Sequence, residues 1–238
     1  MTGWPAGYRR KDYAELDSTN EEARRLAEAG EGGPVWIIAA RQTAGRGRRG
    51  RIWQSLPGNL YATLLITPER PRNEWPTLSF VASLAVAGMV GWFAPQASGA
   101  LKWPNDLLLE GRKVAGILLE SCGSALAIGI GVNLAHFPSE TEFPATAIAV
   151  HATPPSAEES LTILAAAFVP WYERWRAGGF AVLKQHWLVG AAGLGAPIRA
   201  RLSNEEQTGL FEGIDDSGAL LLRQGDTLRT IAAGEVFF

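Results

Sequence analysis

Apolar positions along the chain fall into short unbroken runs and longer helical patterns, and the elements follow from that division. Pro34-Val-Trp-Ile-Ile-Ala-Ala40 reads as a buried strand, and Asn59-Leu-Tyr-Ala-Thr-Leu-Leu-Ile-Thr67 as a second strand. Upstream, Ser18 and Glu21 stand at capping-box spacing, Glu21 and Glu22 suit the positive helix start, and Gly30 supplies a stop, so a helix spans about 19–29. Capping alone is one sufficient role for Ser18 and Thr19. Between Trp75 and Leu101 no residue is charged. This apolar stretch is punctuated by Ser79, Ser83, Gly88 and Gly91, bounded by Pro76 and Pro95, and lacks basic anchors, which predicts a buried helix near 77–94 rather than a membrane span.

Further on, Leu107-Leu-Leu109 and Lys113–Ser121 flank Glu110-Gly111 as a hairpin, and 125–134 forms another strand. Interior glycine weakens a strand unless something approaches the backbone closely. Gly116, Gly129 and Gly131 therefore mark either a flat ligand lying on the sheet, or a bulge or tight sheet packing. A helical pattern covers 156–177, with Trp171, Tyr172 and Trp175 as a core stripe and Pro170 expected to kink or divide it. A short helix over 179–188 and a glycine-rich linker over 189–197 follow. Then come five short strands, 198–202, 206–214, 219–223, 227–231 and 235–238, whose spacing predicts a small barrel.

Length allows one large domain with a small satellite, divided as 1–190 and 195–238, and 47% hydrophobic residues suffice for a core. A net charge of −2 argues against a chain that coats nucleic acid. The single cysteine, Cys122, excludes an internal disulfide, and the N-terminus lacks the apolar run of a signal peptide, so the cytoplasm is the expected compartment. His136, His151 and His186 share no ligand spacing with Cys122, and no metal site is expected from protein side chains.

Against this near-neutral background, residues 41–55 stand out. Arg41, Arg46, Arg48, Arg49 and Arg51 crowd a loop jointed by Gly45, Gly47 and Gly50, with no acidic residue between Glu31 and Glu69. Such a loop offers charge and backbone N–H groups to an anion. Gly45 to Gly50 also matches the dinucleotide fingerprint literally, but the residues from Arg51 to Gly58 leave no room for the required helix, and no Gly-Lys-Ser/Thr ending supports a Walker loop. The loop's glycines and lack of interleaved aromatics fit a lid over a small anion better than a nucleic-acid platform. If this loop, Lys113 and the glycine-marked sheet surround one site, its ligand is anionic with a flat apolar part. Lys113 then neutralises a phosphate or carboxylate oxygen, unless it is a solvated hairpin charge. Attack of a carboxylate on the α-phosphate of ATP needs such cations and needs no base.

Gly45-Arg-Gly-Arg-Arg-Gly-Arg-Ile-Trp53, Lys102-Trp-Pro-Asn-Asp106, Arg112-Lys-Val-Ala-Gly-Ile-Leu-Leu-Glu120, Ile128-Gly-Ile-Gly-Val-Asn133 and the upstream Asp17-Ser-Thr-Asn20 resemble the biotin protein ligase family in order and spacing. The resemblance spans about 15–135, and Gly234-Glu-Val-Phe-Phe238 is similar to the end of the family's small terminal barrel. It implies an α+β fold of the class II synthetase and biotin ligase type: a mixed β-sheet flanked by helices, with a small C-terminal SH3-like β-barrel. It also implies two reactions, formation of biotinyl-5′-AMP and pyrophosphate from biotin and ATP, then transfer of biotin to an acceptor lysine. By the resemblance, Ser18, Thr19, Asn20, Gln42, Gly45, Arg46, Gly47, Arg48, Lys113, Gly116 and Gly129 hold biotin. Arg48, Arg51, Trp53, Lys113 and Asn133 hold the nucleotide, and Lys113, Arg48 and Asp106 serve the chemistry. Mg²⁺ accompanies ATP. The implied acceptor is the biotin carboxyl carrier protein of acetyl-CoA carboxylase and related carboxylases, with no nucleic-acid or membrane partner and with a homodimer allowed. Asp106 is the candidate to orient or deprotonate the acceptor lysine, whose free pKa is about 10.4; a plain turn residue after Pro104-Asn105 is the alternative. Only some 15 residues precede the matching region, too few for the winged helix of the repressor members, so ligation alone is expected. Lipoate or octanoate transfer and a nucleic-acid-binding module are the competing readings.

Overall fold

Strand parity decides where the helices and the site sit. In the computed structural model, which describes residues 3–238, seven strands pair into one sheet. They are β1 (Arg9–Leu16), β2 (Val35–Gln42), β3 (Leu60–Ile66), β4 (Gly99–Lys102), β5 (Asp106–Leu109), β6 (Arg112–Cys122) and β7 (Ala125–Val132). Their order is β1-β2-β3-β7-β6-β5-β4, parallel between β1 and β2 and antiparallel elsewhere, which makes the sheet mixed. Side chains alternate between faces. Trp36 and Ile38, Leu60, Ala62 and Leu64, and Ile128, Ile130 and Val132 face α2 (Leu78–Phe93) and α3 (Ala157–Gly178) in the main core. Val35, Ile37, Leu65 and Ala127 face the other way, with Ala23 of α1 (Thr19–Glu28), in a smaller cluster. Because α1 covers only part of that second face, Gly129, Gly131 and Gly116 remain there as the floor of a cleft.

α2 is a core helix: Leu78 through Val86, Met89 and Val90 are buried. α3 runs on through Pro170 as one helix, so the expected division does not occur. Pro170 is exposed, while Leu161, Leu164, Phe168, Tyr172 and Trp175 bury the opposite stripe on both sides of it, so packing holds the helix through the missing N–H. The capping box at α1 also differs. Ser18 Oγ accepts from Asn20 N at 3.3 Å, and Asp17 rather than Glu21 accepts the Ser18 N–H at 2.7 Å, which frees Glu21 for the arginine loop. β1 was not expected, because its charged run Arg9-Arg-Lys-Asp12 hides an edge strand that buries little.

After α4 (Ala181–Val189), the strands β8 (Pro197–Arg201), β9 (Glu206–Ile214), β10 (Leu220–Gln224), β11 (Thr227–Ile231) and β12 (Glu235–Phe237) form an antiparallel sheet ordered β11-β10-β9-β8-β12. All five fall within a residue of their expected positions, in agreement with an SH3-like unit. Its tie to the large sheet is specific: Trp103, 1% exposed, donates its indole N–H to Gly218 O at 3.0 Å.

Candidate active site

A cavity of about 320 Å³ lies on the glycine-bearing face of the large sheet, bounded by the arginine loop, α1, the turn at Trp103–Asp106 and the C-terminal Gly234-Glu235. Its volume is within the range of sites for small ligands. The loop is folded back on itself as a short hairpin: Gly47 N donates to Arg51 O at 2.8 Å, Trp53 N to Gly45 O at 2.9 Å, and Arg46 bridges Ile52. Arg49 and Gly50 at its tip both adopt positive φ, 57° and 71°, a turn that glycine makes without steric cost. The N–H of Gly47 is thereby used within the loop. Gly45 stands behind the lining, in the neck, where a Cβ would lie 2.6 Å from Trp53 O.

The loop's arginines draw their partners from distant segments, which replaces the expectation of an unneutralised cluster. Arg41 pairs with Glu15, Arg46 with Glu21 and Glu120, and Arg51 with Glu235. Arg48 donates to Asn105 Oδ1 at 3.2 Å and to Gly234 O at 3.3 Å; burial lowers its pKa, although a guanidinium remains charged. Arg48 and Arg49 make no ion pair among the described residues. The Arg51 guanidinium holds the Glu235 carboxyl down to about 2 from an ordinary 4.5. The contribution of this pair is therefore complete above the ordinary carboxylate range and is lost as the pH falls toward about 2. Glu235→Gln should speed tryptic cleavage at the loop arginines roughly two- to fivefold, as suits a pair that is partly solvated. Unchanged cleavage would show that the loop does not depend on Glu235.

One end of the cavity is lined by the uncharged side chains of Ser18, Thr19, Asn20 and Gln42, held by a hydrogen-bonding network that Glu120 backs from outside the lining. Thr19 N and Oγ1 donate to Gln42 Oε1 at 2.8 and 3.1 Å, and Gln42 Nε2 donates to Ser55 Oγ at 3.1 Å. Asn20 Nδ2 donates to Glu120 Oε2 at 2.6 Å, and the Thr63 hydroxyl lies 2.6 Å from Asn20 Oδ1. The glycines now have a cause. A Cβ at Gly129 would overlap Asn20 Oδ1, and one at Gly131 or Gly116 would lie 2.5 or 3.0 Å from the Trp53 indole. Protein side chains approach the sheet here, so tight packing accounts for the glycines without any ligand.

The cationic end depends on a bulge. Leu107 pairs with Ala115 but Leu108 with Lys113, leaving Val114 as the extra residue. That extra residue shifts the alternation, so Lys113 shares a face with Gly116 while Val114 and Ala115 both enter the core. Lys113 Nζ lies 2.6 Å from Asp106 Oδ1, an ion pair outside hydrogen-bond alignment, and 5.7 Å from the Trp53 ring centre. Asp106 is 6% exposed, and its carboxylate meets two lysines. Asn133, also buried, donates to Thr146 O at 3.0 Å and lines the cavity beside Lys113.

Comparison with known proteins agrees with this architecture. Residues 14–135 match the model of the biotin/lipoate A/B protein ligase family, and residues 193–238 that of the biotin protein ligase C terminal domain. The biotin–[acetyl-CoA-carboxylase] ligase of Paracoccus denitrificans is 48% identical over 94% of this chain and 98% of its own length. The chain belongs to the biotin protein ligase family. Within it, the bifunctional ligase/repressor BirA of Bacillus subtilis is 32% identical over 93% of this chain and 71% of its own length. Among solved structures, the Aquifex aeolicus biotin protein ligase in complex with biotin and ATP superposes with a TM-score of 0.85 at 28% identity, covering 96% of this chain and 97% of that one.

Of the residues the family resemblance singles out, Ser18, Thr19, Asn20, Gln42, Arg46, Gly47, Arg48, Arg51, Trp53, Asp106, Lys113, Gly116, Gly129 and Asn133 line one cavity, and Gly45 supports it from behind. Sequence reasoning missed Glu21, Glu120 and Glu235 as holders of the loop, along with Tyr61 and the segment Pro138–Phe143 in the wall. Glu120 ends one quoted motif and Glu235 stands second in another, and their presence in those motifs was the available signal.

Proposed function

We propose that the chain is an ATP-dependent biotin protein ligase whose cavity holds biotin and ATP together. The observation that carries this reading is the division of one cleft into an uncharged hydrogen-bonding end and a cationic end, in a member of this family. The Thr19–Gln42–Ser55 network, with Ser18 beside it in the lining, suits the polar ureido ring of biotin, and Arg48, Arg51 and Lys113 suit its carboxylate and the phosphates of ATP. In the first step a biotin carboxylate oxygen bonds to the α-phosphorus, and the bond to the β-phosphate oxygen breaks as pyrophosphate leaves with the electron pair. The cations stabilise charge that builds on the phosphorus oxygens. In the second step the acceptor lysine nitrogen attacks the anhydride carbonyl, AMP departs, and the amine loses a proton as the amide forms.

Asp106 orients the acceptor amine and receives that proton in this proposal. The assignments of biotin to Ser18, Thr19, Asn20, Gln42, Gly45, Arg46, Gly47, Arg48, Lys113, Gly116 and Gly129, and of nucleotide to Arg48, Arg51, Trp53, Lys113 and Asn133, belong to the same proposal, supported by their gathering around one cleft. Among the described residues no group of three His, Cys, Asp or Glu side chains could hold a metal ion. Asp106 and Glu235 are already paired with cations, so the described residues offer no magnesium cage, and Mg²⁺ accompanying ATP would be held chiefly by its phosphates and water. A biotin carrier protein is the acceptor, and we assign the reaction to the cytoplasm, without nucleic acid or membrane. The division into a catalytic unit, 1–190, and a C-terminal unit, 195–238, is likewise proposed, supported by the separate five-stranded sheet. Lipoate or octanoate transfer and nucleic-acid binding draw no support from the relatives.

Exchange of labelled pyrophosphate into ATP that requires biotin tests the first step; exchange with lipoate and none with biotin would overturn the reading. Asp106→Asn should slow transfer to the acceptor by about 10²-fold, the scale of a lost proton acceptor, with a smaller effect on exchange. Equal slowing of both steps would reject the proton-accepting role.

A further inference from the structure

A lysine without exposed surface must recover from partners the stabilisation that water gave its ammonium. Lys102, at the end of β4, is 1% exposed and lies behind the cavity wall. Its Nζ is 3.6 Å from Asp106 Oδ2, 4.1 Å from the ring centre of Phe143 and 5.5 Å from that of Phe237. Burial pulls its pKa down and Lys113 adds to that, while the carboxylates of Asp106 and Glu235 oppose both. Asp106 therefore has a cation on each oxygen: Lys113 in front, with 27% of its side chain exposed, and Lys102 behind.

The two cations are unequal in what they can do. Lys113 faces the cavity beside Gly116 and Trp53, where substrate oxygens arrive, and Lys102 cannot leave its aromatic cradle. If Lys113 were the only cation near Asp106, moving its ammonium onto substrate would strand a buried carboxylate, and stranding a buried charge is costly. With Lys102 in place, Asp106 keeps a counter-charge throughout.

We propose that Lys102 is a fixed counter-ion to Asp106 that releases Lys113 to the reacting carboxylate and phosphate: a positioning residue for adenylate formation, acting through Asp106. The inference rests on the ligase reading above. Phe143 and Phe237 hold the ammonium from the segment before Ala145 and from β12, so the C-terminal unit takes part in placing this charge.

The test is biotin-dependent pyrophosphate exchange by the full chain and by Lys102→Met, Asp106→Asn and the double variant. Lys102→Met should exchange roughly tenfold more slowly than the unmodified protein, the scale of coupling between neighbouring charges. The double variant should match Asp106→Asn alone, because without the carboxylate nothing holds Lys113 back. A purely structural role for Lys102 would carry the same loss into both backgrounds. Wild-type exchange by Lys102→Met, or a tenfold deficit of the double variant relative to Asp106→Asn, overturns the proposal. Should Lys102→Met fail to fold, the comparison of the double variant with Asp106→Asn still decides, equality supporting the proposal and a deficit overturning it. Absence of biotin-dependent exchange in the unmodified protein would instead overturn the ligase reading, and this inference with it.

Discussion

Lys113→Ala should lower biotin-dependent pyrophosphate exchange by about 10²- to 10³-fold, the cost of removing one preorganised charge from a site where negative charge develops. The geometry makes this a loss of activity rather than of folding. Lys113 is partly exposed to the cavity, and its removal leaves Asp106 with Lys102 at 3.6 Å, so no buried carboxylate is stranded. Arg48 remains in the site but is engaged with Asn105 and Gly234 O, and it cannot replace an ammonium at the other end of the Asp106 carboxylate. The expected signature is a collapse of exchange with a thermal midpoint close to that of the unmodified protein. Full exchange by the variant would refute the role, and a collapse of both quantities would point to folding instead.

The second large effect is expected at Gly129. A methyl group there would overlap Asn20 Oδ1, and Asn20 cannot give way by rotating. Its Nδ2 is committed to Glu120 Oε2 and its Oδ1 to the Thr63 hydroxyl, and the residue is itself buried at the start of α1. Relief has to come from retreat of the helix start, which carries Thr19 and its bonds to Gln42. Gly129→Ala should therefore cost about 1–3 kcal/mol of stability, as overpacking does, and should raise the KM for biotin more than the KM for ATP. Denaturant unfolding and steady-state kinetics measure the two effects. An unchanged biotin KM would count against the proposed binding of biotin at Asn20 and Thr19.

Elements whose burial is dictated by their own residues were legible in the chain. The apolar runs at β2, β3 and β7, the uncharged α2 and the five C-terminal strands all declare their environment locally. β1 did not, because an edge strand buries little and tolerates the charges that disguise it. The site divides in the same way. The loop, Lys113 and Asp106 were readable as motifs, whereas the ion pairs that fix the loop join residues as far apart as Arg51 and Glu235, and no local pattern encodes such a meeting. The glycines were half readable. Their need for close approach was plain, but only the fold assigns it to Asn20 and Trp53.

The extra residue at Val114 changes how this motif should be looked for in other chains. Strand residues that share a face stand an even number of positions apart, yet Lys113 and Gly116 are separated by an odd number and still point the same way. A scan tuned to strict alternation would put the lysine with the core and discard it as a misplaced charge. Conversely, a chain that kept this spacing but paired without the bulge could keep every residue type of the motif and present its ammonium to the wrong side of the sheet.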